Sequence, residues 1–115
     1  MEIDNKKITV GYSTITIKKQ QGQFIKDNMT DTYGQYLPRE HAIEIQPNLI
    51  NIDEANTLLH ELLHACVWTA SLSQQDQPLC EGNKEELVVN SLANSLTQVF
   101  RDNEWILPYL IKKLN

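Results

Sequence analysis

The chain has 115 residues, 41% hydrophobic and 22% charged, enough for one globular domain with its own core and short of two. Its formal net charge of −5 argues against a general nucleic-acid binder, which needs a basic face to neutralise phosphates. Two cysteines, Cys66 and Cys80, are too few for a disulfide scaffold, and no apolar run approaches the roughly 18 residues of a membrane span. The opening residues Met1 to Val10 lack the apolar stretch of a secretory signal. The expectation is a single domain over residues 1–115, cytoplasmic, with reduced thiols and no nucleic-acid or membrane partner.

Strand character comes first. Ile8, Val10 and Tyr12 alternate with polar residues, and Ile15 and Ile17 do the same beyond Ser13-Thr14. From Lys18 to Asp31 the chain is polar, anchored only by Phe24, Ile25 and Met29, a pattern that fits a loop or a short helix. A hairpin follows, with Thr32 to Tyr36 as one arm, Leu37-Pro38-Arg39-Glu40 as the turn and His41 to Gln46 as the other arm. Ile43 and Ile45 keep period two while Ala42 falls out of step, and Pro47-Asn48 ends the strand.

The second half reads as helix. Asn51 with Glu54 three residues on has capping-box spacing, which predicts a helix from about Ile52 to Ala70. Ser71 to Asn83, with Pro78 and Gly82, reads as a loop, and a second helix runs from near Asn83 to about Arg101. A short helix around Trp105 to Leu114 carries Pro108 near its first turn, where proline is tolerated. Strands first and helices after predict an α+β domain: an antiparallel sheet of three or four strands with the helices on one face.

The chemistry is concentrated in His60-Glu61-Leu62-Leu63-His64. Residues four apart share a helix face, so the two imidazoles can aim at one ion. Glu61 is rotated by about 100° from His60, awkward for a ligand but within reach of a water on that ion. This is the H-E-x-x-H pattern of zinc hydrolases. Leu58, Leu59, Leu62, Leu63, Ala65, Cys66 and Val67 cover most of the remaining circumference, which predicts a buried helix with a polar stripe that a metal ion would satisfy. Trp68 reads as a core aromatic.

Such a site needs a third protein ligand. Val67 and Ala70 stand where the extended pattern with a third histidine needs Gly and His, and His41 lies upstream. Glu85 and Glu86 open the next helix, and the 22 residues from His64 to Glu86 are ample for a return. Glu86 is preferred, with Asn90 one turn on as a residue to hold a ligand by hydrogen bonding. Asn83 to Glu86 also has capping-box spacing; if Glu86 caps the helix, Glu85 becomes the ligand.

Taken together the chain resembles the phage-type zincin-like metallopeptidases. The resemblance rests on Val10-Gly11-Tyr12, Tyr33-Gly34-Gln35-Tyr36, Ile43-Glu44-Ile45, His60 to Ala65, Glu85 to Val89, and Leu96 to Asn103, in that order over most of the chain. Glu104 departs from the family pattern, which often has proline there. The resemblance implies a metallopeptidase fold and peptidase chemistry on a peptide or protein substrate, and leaves the substrate open.

The expected reaction is metal-assisted hydrolysis with one zinc per chain and Glu61 as general base. Tyr33, Tyr36, His41, Arg101 and Tyr109 are unranked candidates to stabilise the oxyanion. The second hairpin arm reads either as an edge strand for extended peptide or as an ordinary covered strand. The alternative function is a catalytically silent zinc-binding regulatory or interaction module. An intact Glu61 favours the enzyme, and the short chain favours the module.

Overall fold

Period-two alternation does produce strands at the start of the chain. The computed structural model describes residues 1–20 and 33–115. Strand β1 spans Lys7–Val10 and β2 spans Ser13–Lys19, paired antiparallel through Ile8 opposite Ile15. Gly11 opens the two-residue turn between them at φ 58°, a conformation that glycine adopts without strain. A side chain there would also press on Thr69, 3.0 Å from its Cβ. The loop-or-helix question over Lys18 to Asp31 falls mostly outside the described residues, as does Thr32; Lys18 and Lys19 belong to β2.

The hairpin forms with shorter arms than expected, β3 over Gly34–Leu37 and β4 over Ala42–Ile45. A 3₁₀ turn over Pro38–Glu40 joins them, and His41 follows in the left-handed region. The sheet order is β1-β2-β4-β3, with β2 and β4 parallel, so the sheet is mixed where a wholly antiparallel one was expected. The difference follows from connectivity: β2 and β4 are far enough apart in sequence for a crossover, which parallel pairing requires. It also puts β4 inside the sheet and β3 at its edge, so the second hairpin arm is a covered strand. All four β4 residues are buried, including Ala42, whereas β2, the other central strand, alternates buried with exposed residues.

Helix α1 runs over Asn51–Thr69, α2 over Gly82–Asp102 and α3 over Ile106–Leu114. The expected capping box at Asn51 is absent. Ile50 is the N-cap and makes no side-chain cap bond, while Glu54 pairs with Lys19 at 2.6 Å and ties the helix to β2. The core lies between the sheet and α1, built on Val10, Ile15, Ile17, Ile43, Ile45 and Ala65 with Leu58 and Leu62 packed against it. Helix α2 packs on α1 from the other side and buries Val89 and Ala93. Among the described residues no helix is long and apolar enough to cross a membrane.

Candidate metal centre

Helix α1 is less enclosed than its composition predicts. Its buried residues are Thr57, Glu61, Ala65 and Val67, whereas Cys66 and Trp68 are exposed. Thr57, Glu61 and Ala65 are spaced four apart, so they form one line along the helix. That line approaches β3 at Gly34, where a Cβ would stand 2.7 Å from Thr57 Cγ2, 2.9 Å from the Glu44 carbonyl oxygen and 3.4 Å from Glu61 Cγ. The absence of a side chain at Gly34 is what lets α1 lie this close to the edge strand.

Glu61 is therefore a buried carboxylate, 6% exposed, against the sheet edge. Burial pushes its pKa up, because the charged form loses water; His60 and His64 pull it back, and the backbone N–H of Tyr36 donates to it.

His60 and His64 sit one turn apart on the side of α1 that faces the start of α2. Their Nε2 atoms are 3.2 Å apart. Both oxygens of Glu86 close on this pair, Oε1 at 2.7 Å from His60 Nε2 and Oε2 at 2.9 Å from His64 Nε2. Glu85, its neighbour in sequence, instead reaches His64 Nδ1 at 2.6 Å. The two adjacent glutamates thus address opposite nitrogens of one ring. Helix α2 begins one residue earlier than expected, with Glu81 as N-cap, and Glu86 makes no cap bond. Asn90 is exposed, and the hydrogen bond that orients His64 comes from Glu85.

This arrangement calls for a cation. Glu85 is acceptor-only when ionised, so His64 Nδ1 must carry the proton. In neutral His64 the Nε2 lone pair then faces another carboxylate oxygen, a repulsive contact that only a second proton or a metal ion resolves. Burial lowers the His64 pKa, but the hydrogen bonds to Glu86 and Glu85 outweigh it and push the value up to about 9. Glu86 is correspondingly held well below the usual carboxylate range by hydrogen bonds from His60 and His64.

One ligand atom each from His60, Glu61 and His64 also falls within 4.8 Å of the others, so the group can hold a metal ion. Two carboxylates thus adjoin the imidazole pair. Glu86 makes the shorter contacts and is 57% exposed, while Glu61 is buried and engaged by Tyr36. These differences separate a carboxylate that reaches the imidazoles from α2 from one fixed beside them on α1.

The centre opens into a cavity of about 550 Å³. Gly34, Gln35 and Tyr36 of the edge strand line it, as do Pro38 of the 3₁₀ turn and Trp68, Leu79 and Cys80. Trp68 is thus a half-exposed cavity residue, 45% exposed, where a core position was expected. Leu79 and Cys80 carry no sequence signal for this role, since only the return of the 71–81 loop brings them here. Of the five residues considered for the oxyanion, only Tyr36 lines the cavity, and its buried hydroxyl has no hydrogen-bond partner among the described residues. His41 is bonded to Ser13 Oγ at 2.6 Å, Arg101 lines a separate groove between α1 and α2, and Tyr109 lies on α3. Tyr33 is exposed just ahead of β3. Comparison of the chain with protein-family models, with curated proteins and with solved structures found no match.

Proposed function

We propose that this chain is a zinc-dependent peptidase of the phage-type zincin-like kind, with His60, His64 and Glu86 holding one zinc ion and Glu61 as general base. The observation that carries this reading is the convergence of two imidazole Nε2 atoms and one carboxylate within 2.7–3.2 Å of one another, beside a second, buried carboxylate. Two imidazole nitrogens and one carboxylate oxygen would suit a hydrolytic zinc site; structural sites are usually rich in cysteine. Glu85 orients His64 from behind through Nδ1, the arrangement that fixes a metal-binding tautomer.

When bound, zinc supplies a lowered pKa for water and polarises the substrate carbonyl. Glu61 accepts the water's proton and returns it to the leaving amine. Its burial favours this use, because a carboxylate whose pKa is raised is a stronger base and then a competent acid. The edge strand β3 offers an extended peptide backbone partners along the cavity wall. The proposed setting is the cytoplasm of a bacterial host, where the exposed thiols of Cys66 and Cys80 stay reduced.

The test is metal content together with one substitution. Purified protein is expected to carry about one zinc per chain. Glu61→Gln should retain zinc and fold while losing at least ~100-fold in cleavage of an unfolded protein or a peptide library. Cleavage unchanged in Glu61→Gln would remove Glu61 from the mechanism. Zinc bound by a wild type that cleaves nothing across broad libraries would favour a silent regulatory or interaction module.

A further inference from the structure

Apart from its histidines and glutamates, the cavity beside the metal centre is lined by uncharged residues, and the largest of them is Trp68. Trp68 stands four residues past His64 on α1, so it continues the side of the helix that carries both imidazoles. Leu79 is brought to the same end of α1 by backbone hydrogen bonds. The Ser71 N–H donates to the Trp68 carbonyl at 3.0 Å, the Leu72 N–H to the Val67 carbonyl at 3.1 Å, and the Leu79 N–H to the Leu72 carbonyl at 3.0 Å. Main-chain bonds thus hold this apolar part of the lining, so it is formed before any ligand arrives. Its setting, a cavity of about 550 Å³ with a few polar groups at one centre, has the size and character of a small-ligand or side-chain pocket.

The charges around the cavity select what can enter. Among the described residues that line it there is no lysine or arginine. Glu85 and Glu86 are engaged by the imidazoles, and Glu61 by the imidazoles and the Tyr36 N–H. Gln35 donates its amide to Glu44 at 2.7 Å. An acidic side chain entering here would meet carboxylates. A basic one would have to draw a carboxylate away from an imidazole. Either would also give up water. A large apolar side chain has no such cost, and it gains by covering Trp68, which is 45% exposed.

We propose that Trp68, with Leu79 and Pro38, forms a subsite for a large apolar side chain, phenylalanine or leucine, of a peptide bound at this centre. Trp68 is then a specificity-determining residue. The inference rests on the peptidase reading for what happens to the bound peptide, and on the cavity alone for the binding.

The probe is a set of end-blocked glycine pentapeptides with a central phenylalanine, leucine, alanine, aspartate or lysine. They are titrated into zinc-loaded protein carrying Glu61→Gln to prevent turnover and Trp105→Phe to leave Trp68 as the one fluorophore of its kind. The phenylalanine and leucine peptides should move Trp68 emission to shorter wavelength and bind at least ~10-fold more tightly than the aspartate and lysine peptides. By calorimetry, Trp68→Ala should weaken the phenylalanine peptide at least ~10-fold with zinc content and circular dichroism unchanged, Leu79→Ala should weaken it less, and Trp68→Phe should keep most of the affinity. Equal affinities across the set, no binding of the phenylalanine and leucine peptides, or binding indifferent to both Trp68→Ala and Leu79→Ala overturns the proposal. A wild type that binds the phenylalanine peptide through Trp68 yet cleaves nothing would leave the subsite standing and remove the peptidase reading. Cleavage of a peptide library with no apolar preference at any position, and no change in Trp68 emission, would do the reverse.

Discussion

Two helices of this small domain invert the usual placement of side chains, in opposite senses. Helix α1 turns a carboxylate inward, with Glu61 buried against the sheet edge and two imidazoles beside it. Helix α3 turns leucines and isoleucine outward and buries nothing. Each inversion opposes folding: a desolvated charge in the first case, and apolar area left in water in the second. What differs is the compensation. Around α1 it is internal, from Tyr36, Glu85 and Glu86. Around α3 no such compensation is present among the described residues. A local rule broken with compensation at hand marks a site, and one broken without it marks a surface.

The sharpest way to break this comparison is to remove the compensating groups one at a time. Glu86→Gln should weaken zinc affinity by well over ~100-fold, as expected for loss of a ligand, whereas Glu85→Gln should cost about 10- to 100-fold, as for a residue that orients one. Competition against a chelator of known affinity separates the two. The reverse ranking would make Glu85 the ligand, and two mild effects would place the third ligand elsewhere.

A smaller effect is expected at Gly34. The Cβ of Gly34→Ala meets Thr57 Cγ2 and the Glu44 carbonyl oxygen at distances that real contacts do not show, so helix or strand must shift. The expected cost is about 1–3 kcal/mol, readable as a lower thermal midpoint together with weaker cleavage. By contrast, Leu110→Glu on α3 should leave the thermal midpoint nearly unchanged, because Leu110 is exposed. Equal losses in the two variants would erase the distinction between the regions.

The smallest effect is on pH dependence in the chelator-treated protein. His64 has its pKa raised to about 9, so its ion pair with Glu86 and Glu85 contributes fully below its ordinary value near 6.5. That contribution fades as pH rises through about 9. Glu86 has its pKa depressed, so its share is present above the ordinary carboxylate range and is lost as pH falls through and below it. Because Glu86 is more than half exposed, the alkaline loss should be only on the order of 1 kcal/mol. Thermal midpoints from pH 6 to 10 should fall at the alkaline end, and His64→Gln should flatten that fall. A flat profile in the unsubstituted protein would mean that the pair contributes nothing without metal.

Much of this molecule is determined by local pattern. Alternation at Ile8, Val10, Ile15 and Ile17 and again at Ile43 and Ile45 suffices for strands, and the His60-to-His64 spacing puts both imidazoles on one face, because side-chain direction follows from backbone period alone. Helix boundaries were legible to within a residue or two for the same reason. Only the tertiary structure decided what depends on distant segments meeting. The parallel pairing of β2 with β4 made β3 the edge, and the close approach at Gly34 set the depth of Glu61. The angle at which α2 returns distributed Glu85 and Glu86 between the two nitrogens of His64. Adjacent residues with identical side chains carry no local signal that separates them. Their difference lies in a 100° step around a helix whose orientation is set by packing against α1.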